Sequence, residues 1–164
     1  MTGIPTIASL DGFILFHIRG TAAREAVEAV LPDAPTAVLT VHDLVDGGFI
    51  ACLGKKEYFL LTHSGQPLLQ PERRDNLTVY ARSDALFLLS GDGVEEWLKR
   101  TSSLDLRNRP PEEFLMSRLL KISCWLKKAS GALGDGYLIG CDPTYSRYFT
   151  RALETSMQSC AAGK

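Results

Sequence analysis

Two glycines flank an acidic residue at Gly91-Asp92-Gly93, one residue after the apolar run LFLL and directly before VEEWLKR. Many phosphate-binding loops begin as a strand that passes through closely spaced glycines into a helix. A dinucleotide fingerprint needs a third glycine at position 96, which is Glu96, and a P-loop needs Gly-Lys-Ser/Thr, which the chain lacks. Carboxylates also crowd the helix start, where they would repel a phosphate. We therefore predict a structural strand-to-helix turn, with Asp92 as the helix N-cap.

Charged residues interrupt apolar, strand-like segments at Arg82, Asp84 and Arg118. Such residues either point into a cleft, where they could bind a ligand, or pair with one another in an ordinary ion pair at the edge of a sheet. The sequence alone leaves both readings open. These three positions are nevertheless the charged residues that could do chemistry within otherwise apolar sequence.

The cysteines and histidines do not indicate a catalytic thiol or a zinc site. Cys124 alternates with Ile122 and Leu126 on a predicted strand, with no histidine nearby in sequence, which is typical of a buried structural thiol. The four cysteines lack Cys-x-x-Cys spacing, and the three histidines are not paired with them at ligand spacing. We expect no bound metal and reduced thiols.

Length and composition predict one soluble domain over residues 1–164. The chain is 45% hydrophobic and 23% charged, as in ordinary globular proteins, and its net charge of -1 gives no reason to expect nucleic acid as a partner. No apolar stretch approaches the roughly 20 residues that span a bilayer, and the N-terminus has no signal-peptide pattern. We expect a cytoplasmic protein with no membrane partner.

The hydrophobic pattern predicts short strands and three helices. The predicted strands are 12–20, 36–44, 48–54, 57–63, 77–83, 85–91 and 137–141, and the predicted helices are 21–32, 92–100 and 144–157. Residues 115–129 form either two strands or one bent strand, and 64–76 form a connector with one helical turn. The last helix places Tyr145, Tyr148 and Phe149 on one face, as core packing or a subunit contact would.

The order of these elements repeats along the chain. Strand, glycine and helix in residues 12–32 recur some 73 residues later, and the hairpin at 49–66 has a counterpart at 124–143. We predict an internal duplication of about residues 12–66 and 85–157. The fold class is then α+β, with two βαββ-like halves and a mainly antiparallel sheet with helices packed on it.

Four segments resemble those of the folate-binding aminomethyltransferase fold, which includes the T-protein of the glycine cleavage system. These segments are the N-terminal strand and helix, GKKEYFLL (54–61), SGDGVEEWLKRTSSLDL (90–106) and the aromatic-rich TYSRYFTRALE (144–154). The whole arrangement, over about residues 12–155, looks like the gamma subunit family of heterotetrameric sarcosine oxidase. That family implies an accessory subunit, with flavin, NAD and tetrahydrofolate bound by larger partner subunits.

The chain departs from the T-protein pattern where that family does its chemistry. The Asp-x-Ser-His-x-Gly pattern is replaced by residues 80–85, which lack the histidine and glycine, and the segment 119–128, where the catalytic acid would lie, contains no acid. A carboxylate cannot transfer a proton if it is absent. The resemblance thus implies a chain that kept the fold and lost the activity.

Two functions follow from this resemblance. The first is an accessory, assembly subunit of an amine-demethylating oxidoreductase that passes the oxidised N-methyl carbon to tetrahydrofolate, with no catalytic residues and no cofactor of its own. The alternative is a tetrahydrofolate-binding subunit that itself captures formaldehyde as 5,10-methylenetetrahydrofolate beside a separate demethylase, since positioning alone promotes such a condensation. Arg82, Arg118 and Tyr145 are the candidates for holding folate in that case.

Overall fold

The computed structural model describes residues 5–162, and the side chains of residues 5–159. Eleven strands and three α-helices are defined in this part of the chain. Their bounds are β1 Thr6–Ser9, β2 Phe13–Arg19, α1 Ala23–Val30, β3 Thr40–Asp43, β4 Phe49–Gly54, β5 Glu57–His63, β6 Glu72–Arg74, β7 Leu77–Arg82, β8 Ala85–Ser90, α2 Val94–Thr101, β9 Leu115–Leu119, β10 Ile122–Lys128, β11 Tyr137–Cys141 and α3 Ser146–Ala162. None of these helices is long and apolar enough to cross a membrane.

The strands form two antiparallel sheets with the same internal order. Sheet 1 has the order β1-β8-β11-β10-β9, and sheet 2 has the order β3-β4-β5-β2-β7-β6. In each sheet a strand leads into a helix, three strands follow as a meander, and the last of them pairs with the first. The predicted α+β class is confirmed. An origin by duplication of residues 12–66 and 85–157 stays a prediction that this repeated order supports.

One apolar layer lies between the two sheets. Its centre is aromatic: Phe49 and Phe59 come from sheet 2, Trp125 comes from sheet 1, and Phe114 precedes β9. Their ring centroids are 5.5 to 6.0 Å apart, within the range of favourable aromatic pairs. Each strand has period 2, so alternate residues of both sheets point into this layer.

Helices cover the outer face of each sheet. Helix α1 packs on sheet 2 through Ala23 and Val27. Helices α2 and α3 pack on sheet 1, where Trp97, Leu98 and Phe149 join one cluster. The molecule therefore has four layers, and each sheet buries both of its faces. This explains the continuous apolar runs in strands such as β5, which are buried on both sides.

Three local predictions need correction. Strand β1 was not predicted, and the predicted helical turn within 64–76 is instead the short strand β6, which pairs with β7. The N-cap of α2 is Gly93, in a left-handed conformation with φ 85°, and no side chain caps the helix. Asp92 is therefore not the cap, because the glycine between it and the helix occupies that position.

A buried ion pair crosses between the sheets. Lys127 of β10 is fully buried, and its Nζ donates to Oδ1 of Asp43, at the end of β3 in the other sheet. Burial lowers the pKa of Lys127, while the Asp43 carboxylate acts in the opposite direction. A lysine inside an apolar layer needs such a partner, because an isolated buried charge is very costly.

Asp43→Asn leaves the Lys127 charge buried without its partner, so we expect the free energy of unfolding to fall by about 3 kcal/mol. Adding Lys127→Met to that variant removes the buried charge and should recover most of the loss. Urea unfolding of the two variants beside the wild type measures both effects. Equal stability of wild type and Asp43→Asn would show that the pair does not hold the sheets together.

The indole of Trp125 lies flat on the backbone of Gly140, its direct neighbour on β11. A Cβ at position 140 would overlap the six-membered ring and Nε1 of Trp125. The absence of a side chain at Gly140 therefore lets the indole reach across β11 towards β8.

Gly140→Ala should displace Trp125 and lower the free energy of unfolding by about 1–3 kcal/mol, as overpacking of a core does. Gly54→Ala is the matched control, because Gly54 also lies in a strand and a Cβ there meets nothing within 4 Å. Chemical unfolding followed by circular dichroism compares the two. The same loss for both glycines would contradict this account of the packing.

Candidate functional site

Three hydrogen-bonded polar side chains lie at one edge of the apolar layer, on the inner face of sheet 2. It consists of Glu57, His17 and Tyr80, and we refer to these three residues as the His17 network. His17 Nε2 is 2.6 Å from Glu57 Oε1, and His17 Nδ1 is 2.5 Å from Tyr80 Oη. The histidine is only 6% exposed, whereas Tyr80 is 38% exposed. The network thus connects a buried imidazole to a phenol at the surface.

Strand register brings these residues together. His17 pairs with Phe59 of β5 on one side and with Tyr80 of β7 on the other. The side chains of His17, Phe59 and Tyr80 therefore lie on the same, inner face of sheet 2. Glu57 begins β5, two residues from Phe59, and therefore points to the same face. The Phe59 ring meets the imidazole edge-on at 4.8 Å and limits its access to water.

The partners of His17 define its protonation. A carboxylate only accepts hydrogen bonds, so Nε2 carries a hydrogen and donates it to Glu57. In the neutral ring Nδ1 is then an acceptor for the hydroxyl of Tyr80. Burial lowers the pKa of His17 below 6.5, and this effect outweighs the opposing effect of Glu57, while Arg82 and Arg19 lower the pKa further. His17 is therefore a neutral base that is held in one tautomer.

The predicted residues Arg82 and Asp84 form an ion pair next to this network. Arg82 Nε donates to Asp84 Oδ1 at 2.9 Å, and the guanidinium lies 5.1 Å from the centre of the Phe59 ring. The second oxygen of Asp84 accepts from Trp125 Nε1 at 3.1 Å, and its side chain is 5% exposed. Asp84 thus fixes the short crossover from β7 of sheet 2 to β8 of sheet 1.

Arg118 lies elsewhere and Tyr145 lies near the Arg82 ion pair. Arg118 is exposed on the edge strand β9, opposite Ser123, and pairs with no acid among residues 5–162. Its position is three strands from that of Asp84, or about 14 Å at the usual strand spacing. Tyr145 donates its backbone N–H to the carbonyl of Asp142, and its side chain is 52% exposed. Hydrogen bonds from Thr144 lower the pKa of Asp142, and the charge of Arg82 lowers it further. No side-chain contact unites the three candidates.

The two remaining sequence candidates are structural. Burial raises the pKa of Cys124 to about 12, so its thiol stays protonated, as predicted for an unreactive core residue. The Gly91-Asp92-Gly93 turn borders a cleft of about 760 Å³ that is also lined by Glu95, Glu96 and Asp135. These four carboxylates outnumber the two cations that also line the cleft, Arg107 and Lys128, and therefore disfavour phosphate. This supports the interpretation of a structural turn.

Sequence reasoning did not identify the His17 network. Its signal was present in β2, where period-2 alternation places His17 on the same face as Phe13 and Leu15 and so predicts a buried histidine. The partners could not be found in this way, because Glu57 and Tyr80 are 40 and 63 residues away in sequence. Within residues 5–159, no group of three or more His, Cys, Asp or Glu side chains is arranged to hold a metal.

The lowered pKa of His17 has a definite consequence for stability. The unfolded chain binds a proton at His17 near pH 6.5, whereas the folded chain binds it only at lower pH. The free energy of unfolding should therefore decrease as the pH falls through 6.5, until the pKa of the folded state is passed. His17→Gln should lose less stability than the wild type over the same interval.

Glu57→Gln gives an independent test, because it removes the carboxylate that raises the pKa of His17. The pKa should then fall further, and NMR titration of the ring in both proteins measures the difference. A pKa above 6.5 in the wild type would show that the ring is not held in its neutral form.

The comparisons with known proteins show the fold. No protein-family model and no curated protein matches the chain. A chain of heterotetrameric sarcosine oxidase from Corynebacterium sp. U-96, solved in complex with pyrrole 2-carboxylate, is similar with a TM-score of 0.80 and 19% identity, over 98% of this chain and 87% of that one. Aminomethyltransferase T of the glycine cleavage system from Bartonella henselae is similar with a TM-score of 0.71 and 14% identity, over 91% of this chain.

This chain covers only 45% of the aminomethyltransferase. At these identities the likeness establishes a shared arrangement of sheets and helices, and it confirms the fold that the sequence resemblance implied. The chain has the fold of a chain of heterotetrameric sarcosine oxidase and of part of aminomethyltransferase T.

Proposed function

We propose that the chain is an accessory subunit of a heteromeric amine-demethylating oxidoreductase, similar to the gamma subunit of sarcosine oxidase. The observation that carries this proposal is the match over nearly the full length of both this chain and a chain of a heterotetrameric enzyme. The two chains are thus similar in size as well as in fold. Flavin and NAD belong to larger partner subunits in this proposal, and the chain has an assembly role without a redox centre.

The hairpin of β9 and β10 supports a role without the catalytic acid of the T-protein. The sequence resemblance places the catalytic acid of the T-protein within residues 119–128, and no Asp or Glu occurs there. The hairpin instead contributes Trp125 and Lys127 to the packing between the sheets. The role of this hairpin is therefore to pack between the two sheets.

The exposed face of α3 and the turn before it supports an assembly role. Phe149 is buried, but Tyr145 and Tyr148 are 52% and 59% exposed, so the predicted shared face is divided between core and surface. Arg147 and Arg151 are exposed beside them and form no ion pair within the described residues. Tyrosine and arginine are enriched in protein interfaces. We propose that this face binds an acidic surface of a larger subunit, which the two free guanidinium groups would complement.

Expression of the tagged chain in its native host tests assembly. We expect it to co-purify with larger flavin-containing chains as a complex that oxidises an N-methyl amine. The chain purified alone should show no flavin absorbance and no turnover. Recovery of a stable monomer, with no flavoprotein attached, would contradict the proposal.

Arg147→Ala and Tyr148→Ala should each weaken the complex, on the order of tenfold if these residues are interface hot spots. Arg73→Ala is the matched control, because Arg73 is an exposed arginine on the edge strand β6, also without an ion pair. Sedimentation of the purified complexes gives the dissociation constants, and thermal unfolding shows whether each variant is folded. Equal effects at positions 73, 147 and 148 would place the interface elsewhere.

The alternative, a subunit that binds tetrahydrofolate and captures formaldehyde itself, has one observation in its favour. Arg118 lies on the inner face of sheet 1, as an exposed cation that could receive the carboxylates of a folate tail. Arg82 is less suited, since Asp84 already neutralises it. Isothermal titration of the isolated chain with tetrahydrofolate separates the proposals: micromolar binding supports the alternative, and no binding at millimolar ligand eliminates it.

A further inference from the structure

We propose that a basic cleft at the end of sheet 2 binds a small molecule that carries a carboxylate or phosphate group, and that Tyr80 relays a proton between the bound molecule and His17. The cleft has a volume of about 650 Å³. We call it the Lys55 cleft, and its lining residues include Arg19, Lys55, Lys56, Glu57, Asp75 and Tyr80. This inference does not depend on the proposed assembly role.

The charges of the Lys55 cleft favour an anion. Three cations line it against two acids, Glu57 and Asp75. Lys55 and Lys56 are exposed and form no ion pair with any residue between 5 and 159. Arg19 Nε lies 3.7 Å from Glu57 Oε1, and the side chain of Arg19 is 60% exposed. The cleft therefore has a net charge of +1, and its two lysines have no direct ion-pair partner among the described residues. Carboxylate and phosphate are the groups that such side chains bind.

Backbone contacts hold the walls of the cleft in place. Gly20 N donates to Lys56 O at 3.0 Å, and Ala22 N donates to Asn76 O at 3.0 Å. Gly20 has φ 126°, and a Cβ there would overlap the carbonyl of Asn76, so only glycine permits this approach of the two loops. The three loops that form the cleft are thus fixed before any ligand binds, which reduces the entropy lost on binding.

Tyr80 connects this cleft to the buried base. Tyr80 is one of the residues that line the cleft, and its hydroxyl donates to Nδ1 of His17. When a bound molecule releases a proton to the Tyr80 oxygen, the proton of Tyr80 moves to Nδ1, and the His17 imidazolium keeps its Nε2–H bond to Glu57. The reverse transfer returns the proton, so the relay consumes nothing. Tyr80 is the group that touches the ligand, while His17 and Glu57 are positioning residues.

Binding is tested by NMR titration of the isotopically labelled full chain with inorganic phosphate and, separately, with acetate, at constant ionic strength. We expect saturable shifts of the backbone amides of residues 19–20, 54–57 and 76, and the tighter probe identifies the preferred oxyanion. The double variant Lys55→Ala/Lys56→Ala should weaken binding at least tenfold. Lys99→Ala, an exposed lysine on α2, should leave it unchanged. Shifts that do not saturate, or that persist unchanged in the double variant, would overturn the binding site.

The relay has its own readout in the nitrogen chemical shifts of the His17 ring. Near neutral pH, inorganic phosphate still carries an exchangeable proton and acetate does not. Because the lowered pKa of His17 keeps its ring mostly neutral, bound phosphate should move Nδ1 only part of the way towards the protonated position in the wild type, and bound acetate should not move it. In Tyr80→Phe, phosphate should still bind but leave Nδ1 unchanged. The same movement of Nδ1 in Tyr80→Phe as in the wild type, or equal movement by both anions, would overturn the relay.

Discussion

The packing of two sheets through one apolar layer constrains the rest of this structure. One face of each sheet packs in that layer, so helices must cover the other apolar face. The result is four layers: helix, sheet, sheet and helix. The layer tolerates a charge only when it is compensated, which is why the fully buried Lys127 is bonded to Asp43 of the opposite sheet.

The polar groups of functional interest lie where this layer ends. Phe59 belongs to the layer, and it also packs against the imidazole of His17 and the guanidinium of Arg82. Asp84 bonds both Arg82 of sheet 2 and Trp125 of sheet 1, so the crossover between the sheets and the edge of the layer are fixed by one carboxylate. The structural and the candidate functional residues are therefore adjacent, and the same aromatic ring supports both.

Much of the fold could be predicted from local sequence. Strand β5 and strand β11 were predicted with the bounds that the structure gives, and the hairpin of β9 and β10 was one of two readings of residues 115–129. These segments have strong apolar patterns bounded by turn residues, so little else competes. The errors occur where local signals are weak. Strand β6 has only three residues, all of them polar. Gly93, and not Asp92, is the N-cap of α2, because the backbone is left-handed at that position.

In the candidate site, too, local features could be predicted from the sequence and long-range contacts could not. By itself, the sequence determined the class of most elements, their apolar faces and the unreactive setting of Cys124. It also offered the pairing of Arg82 with Asp84 as one of two readings. All of these depend on neighbours within a few residues. Only the tertiary structure decided that His17 meets Glu57 and Tyr80, that Lys127 is neutralised by Asp43, and that Lys55 and Arg19 line one cleft. These contacts depend on strand order and register, which are set by long-range packing and not by local propensity.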